Sequence, residues 1–243
     1  MAAEWGIGLG ERYQLARYSF VASAGEDAIL KVTSPEDDEA DEEADALEFW
    51  DGDGAVRLLR RDRERRALLL ERARPGTDLT DVSEEGATTI AVALARRLWK
   101  EELSPALSPF RPVHDHVPRW LANAAGHPLA LLARELYEAL EQRSDTLVHG
   151  DFHHHNVLRS ARGWLAIDPK PMLGEPEYDV PSFLWNPLPY RMRRDVTERR
   201  LAAFAAAGLD EERMRMWAVV RGAYLGADEN EVEVLRALVQ ERP

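Results

Sequence analysis

The chain of 243 residues contains no cysteine. Disulfide bridges, thiol nucleophiles, iron–sulfur clusters and cysteine-based zinc sites are excluded with it. Lysine is scarce: Lys31, Lys100 and Lys170 are the only lysines among 31 basic residues, so each invites a functional reading. There is no basic excess. Acidic residues number 44, and a formal charge of −13 lacks the positive footprint that nucleic acid or an anionic membrane surface requires. Neither partner is expected, and the balance suits a cationic small molecule. No apolar run approaches the roughly 20 residues that span a bilayer. The opening Met1-Ala2-Ala3-Glu4-Trp5 leads into no basic and apolar secretory signal. These absences predict a cytoplasmic protein. A glycine-rich phosphate loop is also lacking, since Gly6, Gly8 and Gly10 do not have the G-x-G-x-x-G spacing.

What is present is a globular composition with 45% hydrophobic residues, enough for one large domain or two small ones. The first third reads as short strands: Tyr18 to Ala22, Ala28 to Val32, Ala55 to Leu59 and Ala67 to Leu70. An acidic stretch from Glu36 to Glu48 leads into the helical cluster Ala46, Leu47, Phe49 and Trp50. Arg74-Pro75-Gly76 breaks the pattern. Beyond it the spacing predicts helices over Glu84–Leu98, Leu129–Leu140, Asp195–Ala207 and Glu211–Gln240, interrupted by a β section from Leu147 to Ile167. The layout is α+β: a small β-rich lobe over 1–73 and a larger helical lobe over 74–243 that holds a β-hairpin.

Phosphoryl transfer from ATP needs an oriented acceptor hydroxyl, metal on the phosphates and a cation on the α/β-phosphates. Asp151 precedes Asn156 by five positions, the spacing of catalytic carboxylate and metal-binding amide in H-R-D-L-x-x-x-N, and His149 stands two residues before it. A hairpin from Val157 through Ser160–Gly163 to Ile167 returns Asp168 beside Asn156, and hard oxygens of this kind suit Mg²⁺. Ala28-Ile29-Leu30-Lys31 matches the V-A-I-K strand whose lysine pairs the phosphates, with Glu43, or alternatively Glu42, to hold it. Leu68 to Ala73 takes the place of the adenine-binding segment, through Glu71 and Ala73, and the nucleotide loop is expected over Glu11–Ser19. His153-His154-His155 invites a zinc reading, but three adjacent histidines point in different directions.

These motifs resemble the aminoglycoside/hydroxyurea antibiotic resistance kinases, the streptomycin 6-phosphotransferase-like branch of the aminoglycoside phosphotransferases. The residues that carry the resemblance are His149 to Leu158, Ala166 to Pro171, Gly174 to Asp179, Trp50-Asp51-Gly52, Gly54 to Leu59 and Glu71-Arg72 with Pro75-Gly76. It implies a two-lobed protein-kinase-like fold, ATP and Mg²⁺, Asp151 as base and Asp179 bonded to the catalytic-loop backbone. It also implies an acceptor hydroxyl on a small, cationic molecule such as a streptomycin-like aminoglycoside. The short stretch ahead of Ser19 predicts a small sheet with one strand missing. Glu175, Glu177, Asp228, Glu229 and Glu231 are the carboxylates expected to line the acceptor site. Three other readings compete: a metabolic kinase for a sugar or amino alcohol, a kinase-like nucleotide-binding protein without turnover, and a metal-dependent hydrolase using the histidine run.

Overall fold

The computed structural model describes residues 2–13, 19–36, 42–100, 108–141 and 143–240. The N-terminal sheet has five antiparallel strands, β1 (Leu9–Tyr13), β2 (Ser19–Ala24), β3 (Ala28–Thr33), β4 (Leu58–Asp62) and β5 (Ala67–Glu71), in the order β1-β2-β3-β5-β4. The sheet is therefore not short of a strand: β1 pairs Arg12 with Ala22 and Tyr13 with Val21. Its outward residues are exposed, which is why no period-two pattern marks it in the sequence. The loop expected over Glu11–Ser19 starts inside β1 and ends in β2, and residues 14–18 lie outside the described residues. The run Ala55–Leu59 is not one strand. Ala55 and Val56 leave β4 and bond to the hairpin of the other lobe, with Val56 N–H donating to Ala166 O at 3.1 Å.

Helix α1 (Glu43–Trp50) packs Ala44, Ala46, Leu47 and Trp50 into the core. It stops at Asp51 in the left-handed region, and the Trp50 indole donates to Leu98 O at 2.9 Å. Strand β5 is followed by α2 (Glu84–Leu98), α3 (Val113–Asn123), α4 (Ala130–Ala139), β6 (Thr146–Val148), the hairpin β7 (Val157–Ser160) and β8 (Gly163–Ala166), and β9 (Met172–Gly174), which pairs with β6. Helices α5 (Val180–Leu184), α6 (Arg194–Ala206), α7 (Glu211–Leu225) and α8 (Glu229–Gln240) complete the chain.

Helix α7 is buried nearly all round through Trp217 to Ala223, so it forms the axis of the lobe rather than an amphipathic surface helix. The single helix expected over 211–240 is broken at Gly226, which caps α7 at φ +79°. Helix α3 was hidden by Pro118, a helix breaker by its sequence. It persists because the Tyr137 hydroxyl bonds the His114 carbonyl at 3.4 Å, the acceptor that the missing Pro118 N–H leaves vacant.

Candidate active site

Strand β6 runs into His149-Gly150-Asp151. Gly150 has φ +81°, and a Cβ there would lie 1.9 Å from the Lys170 carbonyl oxygen, so only glycine fits this crossing. The loop hangs on Asp179: the amides of His149 and Gly150 donate to its two oxygens at 2.8 and 2.7 Å, and the Trp99 indole donates at 2.9 Å. Three donors satisfy a carboxylate that is fully buried. This is the backbone contact expected of Asp179. His149 is also fully buried, and burial lowers its pKa, which keeps the ring neutral. Its Nε2–H donates to Ile167 O at 3.0 Å, while Nδ1 accepts from the Asp151 amide at 3.3 Å. His149 thus ties the loop to the strand that carries Asp168.

The Asp151 side chain is partly open to solvent. Asn156 Nδ2 donates to the Asp151 carbonyl at 2.9 Å and to its Oδ2 at 3.4 Å. His153 Nε2 stands 3.6 Å from the same Oδ2. Burial alone would raise the Asp151 pKa, but His153, then Lys170 and Arg221, outweigh it and hold the carboxyl well below its usual range. Asp151 is an ionised acceptor at neutral pH.

The β7–β8 hairpin brings Asp168 beside Asn156, as its length predicts: Ile167 N–H donates to Asn156 O at 2.9 Å. The polar contacts of the Asn156 side chain engage Nδ2. Asp168 occupies the left-handed region at φ +55° with its carboxylate half exposed. Lys31, in the middle of β3, contacts Asp168 directly and meets Glu43 Oε2 at 2.7 Å. Glu43, not Glu42, is therefore its holder; Glu42 reaches Arg111 instead. Burial would lower the Lys31 pKa, but Glu43 and Asp168 together raise it above its ordinary value, so the ammonium is permanently charged. Lys31 thus contacts both Glu43 and Asp168 across the two lobes, Asn156 contacts Asp151, and the Ile167 amide on the Asn156 carbonyl brings the two groups together.

The residues expected on the adenine and phosphate side lie in and beside the sheet. The Glu71 carboxylate does not face a ligand. It accepts from the Arg57 amide at 3.0 Å and from Arg162 Nη2 at 2.6 Å, and Arg162 also bonds Gly52 O at 3.0 Å. The Glu71 side chain clasps the hairpin tip to the sheet, and the Glu71 N–H donates to Arg57 O at 2.9 Å. Ser19 Oγ donates to Thr33 Oγ1 at 3.2 Å across the β2–β3 ladder.

The three histidines diverge. His153 faces Asp151, and His155 Nδ1 lies 2.8 Å from Asp78. His154 is buried flat against Phe183, with centroids 4.1 Å apart, and accepts from Arg200. Burial, with Arg200 next, lowers the His154 pKa to about 3. Among the described residues no group of three histidines or carboxylates is arranged to hold a metal ion. The proximity of His153 to Asp151 and Asn156 was not anticipated, although its place two residues after Asp151 was the available signal.

Three of the five expected acceptor carboxylates are a correction, while Asp228 and Glu229 are exposed. Glu175 is buried and paired with Arg213 at 2.6 Å, Glu177 is buried and accepts from the Asp210 amide at 3.0 Å, and Glu231 is buried against Arg191. Asp228 accepts from the Glu231 amide at 3.0 Å, at the start of α8. A desolvated carboxylate needs donors, and distant arginines and amides supply them inside the lobe.

With this geometry in place, the comparisons with known proteins are decisive for the family. The family model described as aminoglycoside/hydroxyurea antibiotic resistance kinase matches residues 16–232. The chain belongs to that family. It is 34% identical to a hydroxyurea phosphotransferase of Kitasatospora aureofaciens over 83% of its own length, and spans 62% of that relative. It is 35% identical to a streptomycin 3''-kinase of Klebsiella pneumoniae over 79% of its length, and spans 76% of that relative. Among solved structures, an ADP-bound aminoglycoside phosphotransferase superimposes with a TM-score of 0.62 at 13% identity, covering 98% of this chain and 95% of that one. Choline kinase LicA of Streptococcus pneumoniae gives 0.59 at 13% identity, covering 96% and 92%. The two-lobed, protein-kinase-like α+β fold of this family member is therefore the one these kinases share. No described helix is long and apolar enough to cross a membrane.

Proposed function

We propose that this family member is an ATP-dependent O-phosphotransferase acting on a hydroxyl of a small molecule. The observation that carries the reading is that the Glu43–Lys31–Asp168 contacts and the Asn156–Asp151 contact are brought together by the Ile167 amide on the Asn156 carbonyl. In this reading 1–73 forms the nucleotide lobe and 74–243 carries the catalytic loop and the acceptor site. Lys31, held by Glu43, neutralises the α/β-phosphates, and the backbone at Glu71 and Ala73 receives adenine, with Ser19 near the phosphate end of β2. Asn156 Oδ1 and the Asp168 carboxylate are hard oxygens at the two ends of the β7–β8 hairpin, a donor set that fits Mg²⁺. Mg²⁺ held by these residues would offset the charge of the phosphates. Asp151 accepts a hydrogen bond from the acceptor hydroxyl and aims its oxygen at the γ-phosphorus. Because its pKa is held low, it orients first and takes the proton late, as bond formation makes the hydroxyl acidic.

A streptomycin-like aminoglycoside is the first acceptor, supported by streptomycin kinases at 32–35% identity. The engagement of Glu175, Glu177 and Glu231 elsewhere favours a second reading, a small uncharged hydroxyl compound, and a hydroxyurea phosphotransferase is among the relatives. The test is ADP release and phosphorus NMR of the products with Mg·ATP and streptomycin, hydroxyurea, a neutral sugar or an amino alcohol. Acceptor-dependent ADP with a new phosphomonoester is expected. ADP formation that no acceptor stimulates would overturn the reading in favour of nucleotide binding without transfer.

A further inference from the structure

Arg221 of α7 is buried behind the catalytic loop. Taking a guanidinium out of water costs several kcal/mol unless its partners compensate. Among the described residues no carboxylate hydrogen-bonds it, although the charges of Asp151 and Asp179 act on it. Its partners are Gly150 O at 3.1 Å, Tyr178 O at 3.1 Å, Ser182 Oγ at 2.8 Å and the face of the Tyr178 ring at 4.4 Å. Its Nε has no hydrogen-bond partner among the described residues. An apolar side chain would fill the space with less desolvation, so packing alone does not explain a cation here.

The placement of its donors does. The Gly150 carbonyl belongs to the peptide that joins Gly150 to Asp151. The N–H of that same peptide donates to His149 Nδ1, and the preceding peptide's N–H is held by Asp179 at 2.7 Å. We propose that Arg221 is a positioning residue for Asp151: it fixes the Gly150–Asp151 peptide from the carbonyl side while Asp179 and His149 fix the amides on either side of Gly150. The Tyr178 and Ser182 contacts flank Asp179, so one guanidinium sets both arms of the brace. This rests on the reading of Asp151 as the group that orients the acceptor.

The test uses full-length Arg221→Met, Arg221→Lys and Ser182→Ala, each with three readouts. Arg221→Met should lower kcat by about 10², as a misplacement near 1 Å does, with KM for ATP within about twofold of wild type. Amide exchange should quicken in peptides covering 147–158 and not in strands β2 to β5. Arg221→Lys restores one donor but not the fork, so it should recover kcat in part. Ser182→Ala, the variant least able to prevent folding, should shift exchange in the same peptides and lower kcat severalfold. Unchanged kcat and unchanged exchange in 147–158 would overturn the proposal. So would exchange that quickens evenly across the helical lobe, which makes Arg221 a packing residue. If wild type transfers phosphate to no acceptor, the function reading fails, and exchange in 147–158 still decides the brace.

Discussion

Asp168 and Glu175 lie seven residues apart in the chain, on either side of β9, and are put to opposite use. Asp168 is half exposed, faces the cleft and shares Lys31 with Glu43. Glu175 is buried, with Arg213 and the Trp217 indole on its oxygens. The same contrast separates Asp151, open to a substrate, from Glu231, closed by Arg191. A carboxylate with free lone pairs at a surface is available for chemistry, whereas a carboxylate whose oxygens are satisfied by buried donors holds helices together. Residue type and local sequence do not separate the two classes; the donors do.

That contrast can be broken most sharply at Asp151. Asp151→Asn should lower turnover by about 10²–10⁴, the range of general-base catalysis, with the fold retained. Glu175→Gln should do the reverse. Breaking a buried ion pair costs up to about 3–5 kcal/mol, and Arg213 would keep only the Glu141 carbonyl and an amide oxygen in place of the carboxylate, so chemical denaturation should show a loss while folded protein keeps its kcat. A Glu175→Gln protein of normal stability would erase the distinction. Next in size, Asp168→Ala should raise the Mg²⁺ requirement more than Asn156→Ala, because it removes a charge as well as an oxygen. Equal titrations for both variants and wild type would move the metal elsewhere.

The smallest effect concerns His154. Its pKa in the folded protein, about 3, lies below the ordinary histidine value of 6.5. The unfolded chain therefore binds a proton that the folded chain refuses. Stability is complete above about pH 6.5 and falls as pH drops toward 3. His154→Gln keeps an acceptor for Arg200 without the titration, so thermal melts across pH 4–8 should show a shallower acid limb. Burial lowers His149 too, which preserves part of the slope. An acid limb as steep as in wild type would contradict the assignment.

The two kinds of carboxylate also differ in how far the sequence discloses them. The cleft set was legible because its spacing is local: Asp151 to Asn156 in one loop, Asp168 at the end of one hairpin, Lys31 on a strand just before the helix of Glu43. The acceptor-side set was misread because its partners are remote. Arg213 is 38 residues from Glu175 and Arg191 is 40 from Glu231, separations over which no periodicity speaks. The same reason hid α3, whose Pro118 is tolerated through Tyr137 from another helix, and Arg221, which reaches Gly150 across 71 residues.

We propose that labour within the cleft is divided, with Asp168 serving nucleotide and metal and Asp151 serving the acceptor. This division is tested most directly by calorimetry of a non-hydrolysable ATP analogue, with and without Mg²⁺, on wild type, Asp151→Asn and Asp168→Ala. The account predicts that Asp151→Asn retains the Mg²⁺-dependent affinity of wild type while Asp168→Ala loses the Mg²⁺ dependence. Loss of that dependence in Asp151→Asn with retention in Asp168→Ala would contradict it.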